Sequence, residues 1–218
     1  MISKLRLILP VVALAAVVPA SAGQEAGLTC VPVSERGSRE FGCFILAHQP
    51  LARLNSTAVF WHLDQFPSRA LAEAVKGPTS VVLESLGKIW LLTIGDAQWR
   101  AAGGARVATV GPLQVRANEE HAAQYMEAVF TPGMKSSVHR HSGPEAWYTL
   151  SGETCLETPE GTMVGRAGGA HVIVPGGPPM ELTATGTEVR RALVLILHDS
   201  SQPPTSRDTT WVPKGLCQ

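Results

Sequence analysis

His139, His141 and Glu145 are spaced as ligands of one metal ion. They sit in GMKSSVHRHSGPEAWYTLSG, residues 133–152. In a strand, residues two apart point to the same face, so an extended VHRH aims both imidazoles together. SGP then reads as a turn, and EAWYTL starts the next strand. Glu145 is expected to return on the neighbouring strand beside the two rings. Two neutral imidazoles and one carboxylate on one face of an ion are the donor set of non-haem iron centres, and leave positions for substrate and O2. The same donors suit zinc, manganese, nickel and copper. Exposed histidines on a strand edge beside an unrelated glutamate would read the same way, so the surrounding elements must decide.

Those elements read as all-β. Short apolar runs, broken by glycine and proline, recur at Val81–Leu83, Ile89–Leu92, Val107–Val110, Tyr125–Phe130, Trp147–Leu150, Val172–Val174 and Ala192–Leu197. Their spacing fits a sandwich or barrel. SRALAEAVK, Ser68 to Lys76, reads as one short helix with Ser68 as its cap. The Ser/Thr/Pro-rich tail from Ser200 to Thr210 reads as an extended surface arm.

The chain also resembles itself at a shift of 65 residues. Pro67 falls on Pro132, Gly87 on Gly152, Leu91 on Leu156 and Thr93 on Thr158. AGGARV, 102–107, falls on AGGAHV, 167–172. Duplication of a β unit explains this, with halves at about 30–112 and 113–200; chance likeness of glycine-rich turns is the other explanation. Ala74, Lys76 and Ser80 occupy the places of His139, His141 and Glu145, so the first half has no ligand set.

Around the histidines the chain resembles the cupin superfamily. The first cupin motif, G(x5)HxH(x3-4)E(x6)G, is matched by Gly133, His139, His141, Glu145 and Gly152. The second, G(x5)PxG(x2)H(x3)N, is matched by Gly169, Pro175 and Gly177. The resemblance spans about residues 125–198. It implies an antiparallel double-stranded β-helix, a jelly-roll barrel, with a divalent metal inside on His139, His141 and Glu145. The domain reading is then a leader (1–22), an N-terminal β region (23–112) that is a degenerate cupin half, a cupin barrel (113–200) and a C-terminal arm (201–218).

One departure stands out. The histidine of the second motif falls at Met180 and the asparagine at Ala184. Three readings follow: an open site on three protein ligands, a Met180 thioether ligand that tilts the metal towards copper, or a decaying site. Methionine in a barrel is commonly core filling. Among other polar residues, His171 is a surface histidine, a substitute ligand or a residue that orients one, and Tyr125 and Glu127 are candidates to enter the cavity. Trp147 and Thr149 share the parity of Glu145 and are expected on the cavity wall. His62 lies in the half without ligands. His198-Asp199 has no serine in a glycine elbow beside it, so a hydrolase triad has little support.

The bulk properties bound the function. Lys4 and Arg6, an apolar run from Leu7 to Val18 and Ala20-Ser21-Ala22 read as a cleavable secretory leader, too short to span a bilayer. Removing it leaves 196 residues with 16 basic and 18 acidic side chains. No basic stripe appears, which argues against nucleic acid and anionic membrane as partners. Cys30, Cys43, Cys155 and Cys217 form no CxxC pair and read as two disulfides, with stapling of the termini through Cys30 and Cys217 as one pairing. The expected setting is the periplasm or outside the cell. The resemblance implies a metal-dependent enzyme on a small oxygen-bearing molecule, of the dioxygenase kind. Its alternative is a non-catalytic small-molecule or metal-binding protein, or a structural cupin of the cell envelope. A homodimer is one assembly left open.

Overall fold

The computed structural model describes residues 28–218, so the expected leader lies outside the described residues. The chain opens with β1 (Val31–Pro32), a 3-10 turn (Val33–Glu35), β2 (Gly42–Pro50) and β3 (Ala58–Phe66). The helix α1 (Arg69–Glu73) follows, then β4 (Ser80–Ser85), β5 (Lys88–Gly95), β6 (Ala105–Gln114) and β7 (His121–Phe130). The remaining strands are β8 (His139–His141), β9 (Glu145–Ser151), β10 (Glu153–Thr158), β11 (Gly161–Arg166), β12 (Val172–Val174), β13 (Glu181–Thr185), β14 (Arg190–Asp199) and β15 (Thr205–Arg207). Every apolar run named above lies in a strand. The short helix is present, and Ser68 caps it by accepting from the Leu71 amide.

Three layers of sheet follow from how these strands pair. A six-stranded sheet runs in the order β1-β2-β7-β14-β9-β12, and a three-stranded sheet runs β11-β10-β13. Bridges from Lys135 to Thr183 and from His139 to Met180 bring the β8 segment beside β13, and β15 pairs with β8. These sheets enclose the barrel interior. A four-stranded sheet, β4-β5-β3-β6, covers the outer face of the six-stranded one.

The middle sheet is therefore buried on both faces, which is why ALVLIL, 192–197, reads as an unbroken apolar run. On β14, Ala192, Val194 and Ile196 face the barrel interior with Met126 and Phe130. Leu193, Leu195 and Leu197 face outward against Trp61, Leu63 and Trp90 of the outer sheet. At the shift of 65 residues, β3, β4, β5 and β6 align in position with β7, β9, β10 and β12. Pairing does not follow position: β4 and β5 form a hairpin, whereas β9 and β10 lie in different sheets.

Cys30 does not pair with Cys217. The bonds are Cys30–Cys43 and Cys155–Cys217. The reason is local pairing. β1 runs parallel beside β2 with Val31 opposite Phe44, which places Cys30 against Cys43. The C-terminal arm is held on β10, where Glu157 accepts hydrogen bonds from the Lys214 and Leu216 amides and Cys155 meets Cys217. The arm lies extended on the surface, as expected, and also clamps the barrel; its β15 completes the edge that carries the two histidines. Among the described residues, no helix is long and apolar enough to cross a membrane.

Candidate metal centre

His139 and His141 flank Arg140 on β8, so both imidazoles turn inward while the arginine turns out to Asp208 and the Gly177 carbonyl. Glu145 arrives differently from expectation. β8 and β9 are not neighbours in one sheet; β9 belongs to the six-stranded sheet and β8 pairs with β15. Residues 142–144 cross between the facing sheets, and Glu145 meets the histidines from the opposite wall. The crossing needs a residue without a side chain. A Cβ on Gly143 would lie 2.1 Å from the Leu197 carbonyl oxygen, and one on Gly176 would lie 2.7 Å from the Gly143 backbone.

The ligand atoms of the three side chains lie within 4.8 Å of one another. Each histidine is oriented by the backbone. The Nδ1 of His139 is 2.7 Å from the Ser137 carbonyl, and that of His141 is 2.9 Å from the Pro204 carbonyl. A carbonyl oxygen only accepts, so both Nδ1 atoms carry hydrogen, and in the neutral rings both Nε2 atoms present a lone pair. Metal-binding histidines are commonly fixed in this way. His141 Nε2 and Glu145 Oε2 stand 3.5 Å apart, and neither has a hydrogen-bond partner among the described residues. Buried polar atoms are nearly always satisfied, so this pair of orphans, with two locked tautomers, fits a cation between the three groups.

Burial lowers the pKa of His139, and the neighbouring His141 lowers it further. Burial is the strongest single influence on His141 and pushes it down, but the Glu145 carboxylate and the Pro204 carbonyl together outweigh it and the net direction is up. Glu145 is pushed up by burial and pulled down more strongly by His141 and His139, ending lowered. The carboxylate is therefore ionised and available.

Met180 lies opposite His139 in an antiparallel bridge, with backbone hydrogen bonds of 3.1 and 2.9 Å in the two directions. Directly opposed residues project to the same side. Met180 is fully buried and packs in the interior apolar cluster. Trp147 lines the cavity as expected, but Thr149 does not; the cavity wall passes from Trp147 to Val194, Ile196 and Arg190. Tyr125 and Glu127 face the other way. Tyr125 packs in the cluster between the six- and four-stranded sheets, and Glu127 bonds Arg36, Ser85 and the Leu86 amide. β7 is buried along its whole length, so the sequence pattern gives no clue to which of its faces meets the cavity.

His171 is exposed, its ring 5.7 Å from Tyr148 and outside the cavity. His62 is buried in the outer sheet, donating to the Asp96 carbonyl and accepting from Arg106. His198 contacts His48 at 3.1 Å. The residue that sequence reasoning missed is Arg190. It opens β14 on the inner parity and lines the cavity, fully buried. Its one sequence signal is that parity with Ala192, Val194 and Ile196.

The two facing sheets, with the HxHxxxE side chains converging between them, form the barrel that the cupin resemblance implies. No family profile matches the chain, and no curated protein does. Solved structures do. A cupin superfamily protein from Desulfitobacterium hafniense DCB-2 is similar at 16% identity and a TM-score of 0.32, over 40% of this chain and 74% of that one. An oxalate oxidase is similar at 18% identity and a TM-score of 0.33, over 39% of this chain and 45% of that one. A DMSP lyase structure is similar at 17% identity and a TM-score of 0.34, over 40% of this chain and 44% of that one. The match spans less than half the length of the last two.

Proposed function

We propose that the protein is an exported, metal-dependent enzyme that acts on a small oxygen-bearing molecule, with a dioxygenase-like oxidoreductase as the leading reaction class. The observation that carries this is the pair of backbone-locked histidines that, with an ionised Glu145, place one ligand atom each within 4.8 Å of one another. His139, His141 and Glu145 would hold the ion. A divalent iron, manganese, zinc, nickel or copper ion there supplies Lewis-acid or redox chemistry with positions open to an oxygen donor. The chain's own residues bind and exclude. Trp147, Val194 and Ile196 give the small molecule an apolar wall, and the Ser137 and Pro204 carbonyls hold the two rings in one tautomer. Two disulfides suit a protein exported to an oxidising compartment such as the periplasm.

A second reading concerns the ligand count. The pairing of Met180 with His139 favours a thioether as fourth ligand, which selects copper. Metal content by plasma mass spectrometry separates the readings, on protein exported to a periplasm and purified without a metal-affinity tag. Near-stoichiometric metal, lost in Glu145→Ala and kept in Met180→Ala, is the expected result. Copper lost in Met180→Ala selects the thioether reading. Metal held without turnover of any small oxygen compound moves the protein to the non-catalytic binding class. A wild type that takes up no metal on reconstitution overturns the proposal.

A further inference from the structure

Arg190 is fully buried, and none of its three guanidinium nitrogens has a hydrogen-bond partner among the described residues. Arginine is rarely buried without a partner, because five strong donors and a full charge have left water. The charge persists. Burial lowers its pKa to about 10, with the Glu145 carboxylate opposing that fall, so the group stays protonated at neutral pH.

Its surroundings hold the cation and leave its donors unused. Arg190 lies opposite Phe130 in the β14–β7 ladder. Its guanidinium carbon stands 5.5 Å from the Phe130 ring centroid and 5.4 Å from that of Trp147. Aromatic faces attract the charge but accept none of its hydrogen bonds as a carboxylate would. The backbone is set as closely: a Cβ on Gly152 would lie 2.7 Å from the Arg190 Cα, so the last glycine of the HxHxxxE motif is what seats this residue. A built, charged and donor-rich group thus borders the same cavity as His139, His141 and Glu145.

We infer that the cavity takes a small carboxylic acid, with its carboxylate in the fork of Arg190 and its far, oxygen-bearing end turned towards His139, His141 and Glu145. The second half of this rests on the metal-centre reading above; the first half does not. A planar carboxylate matches the guanidinium fork with two parallel hydrogen bonds. One negative charge balances one guanidinium. Phosphate carries about one and a half to two charges at neutral pH, leaving excess negative charge in a cavity that already holds Glu145. The ligand is short. Glu145 and Trp147 lie on one face of β9, about 7 Å apart along the strand, and the Trp147 ring already touches Arg190. The cavity measures about 310 Å³, at the lower end of the ~300–1,000 Å³ usual for ligand pockets. Between the two ends the wall is apolar, with Ile45, Met126, Leu182, Val194 and Ile196, so the body of the acid is hydrocarbon or aromatic.

The test is calorimetric binding and thermal shift with short mono- and dicarboxylates, their amides and inorganic phosphate. It uses metal-loaded and metal-free wild type, Arg190→Met, Arg190→Lys and Glu145→Ala. Carboxylates are expected to bind wild type and to raise its Tm, while amides and phosphate do not. Arg190→Met is expected to lose roughly 100-fold in carboxylate affinity. It should keep its metal content and, without ligand, melt at or above the wild-type temperature, because an unpaired buried charge has been removed. An arginine with a merely structural role would instead lower Tm and leave anion binding intact. If Arg190→Met does not fold, Arg190→Lys serves, with charge kept, fork lost and affinity down at least about tenfold. Metal binding without any carboxylate binding, or phosphate bound in preference, overturns this inference and spares the metal centre. Carboxylate binding to a protein that takes no metal supports the Arg190 half and overturns the metal centre alone.

Discussion

His141 donates its Nδ1 hydrogen to the carbonyl of Pro204, 2.9 Å away and 63 positions later in the chain. The C-terminal arm thereby sets the tautomer of an inner ligand, and Thr205 Oγ1 adds a contact at 3.1 Å to the same nitrogen. Partners that orient metal-binding histidines are worth about 10–100-fold in metal affinity. Truncation after Gln202 is expected to weaken metal binding by that factor. Cys155→Ser/Cys217→Ser, which frees the arm from its disulfide without removing Pro204, serves as the control and should lose much less. Competition titration with a chelating indicator reads both. Equal losses in the two proteins would show that the arm only stabilises the fold.

That disulfide has its own expected effect. Cys155–Cys217 closes a loop of 62 residues and Cys30–Cys43 one of 13. On chain-entropy grounds the longer loop contributes about 4 kcal/mol and the shorter about 3 kcal/mol. Urea unfolding of the two serine pair-variants should therefore rank Cys155→Ser/Cys217→Ser as the less stable. The reverse order would mean that the unfolded arm is already constrained by other contacts.

Glu127 tests the separation of the two faces of β7. It is buried at 3% exposure and accepts from Arg36 at 2.8 Å and Ser85 at 2.6 Å, on the side away from the cavity. Glu127→Gln should cost about 2 kcal/mol in denaturant unfolding, the range of a charged buried hydrogen bond. Metal content and carboxylate binding should be unchanged. A loss of metal with no loss of stability would place Glu127 at the centre after all.

Much of this was legible in the residues themselves, and the limits have physical causes. Residues buried on both faces, such as Leu193 to Leu197, announce a strand by continuous apolarity. The same continuity hides which side faces the cavity, so Tyr125 and Glu127 were candidates that the sheet turned away. β2 and β3 carry His48, Gln49, His62, Asp64 and Gln65 among their apolar residues, and their mixed pattern gave no clear run. The HxH parity aimed two imidazoles correctly because it is local. Glu145 came from the opposite sheet, and the disulfide partners from separate parts of the chain, because both depend on packing between elements. Four cysteines allow three pairings, and spacing does not choose among them. Arg190 was invisible for a simpler reason: after GTEV a pair of arginines reads as solvated charge at a turn, and only the register of β14 turns the first one inward.

The crossing between His141 and Glu145 can be broken without touching a ligand. Gly143 has no room for a side chain, since its Cβ would meet the Leu197 carbonyl oxygen at 2.1 Å and the His198 Cα at 2.9 Å, both backbone atoms that cannot rotate aside. Gly143→Ala should cost at least about 3 kcal/mol by overpacking and should weaken metal binding by displacing the crossing. Gly77→Ala, whose added carbon would come no nearer than 3.6 Å to Ser80 Oγ, is the tolerated control. Urea midpoint and metal content read the two effects separately. A Gly143→Ala protein with wild-type stability and full metal content would mean that the sheets can part at this end.

Metal binding at His141 must release a proton, because metal and proton compete for the same nitrogen. In the metal-free protein the pKa of His141 is raised above 6.5 and that of Glu145 lowered below 4.5. The stability from His141 is therefore present in full below about pH 6.5 and fades as pH rises through its folded value. That from Glu145 is present above the ordinary carboxylate pKa and is lost as pH falls through its lowered one. The metal-free pair thus contributes most in mildly acid solution. Metal needs the neutral imidazole, so binding must expel the His141 proton wherever the metal-free ring still holds it. Calorimetric metal titration at pH 6 in two buffers of different ionisation enthalpy should show net proton release that falls as pH is raised. His139, lowered by burial and by its neighbour, should release less than His141. Release that does not fall with rising pH, or none at pH 6, would remove His141 from the ligand set.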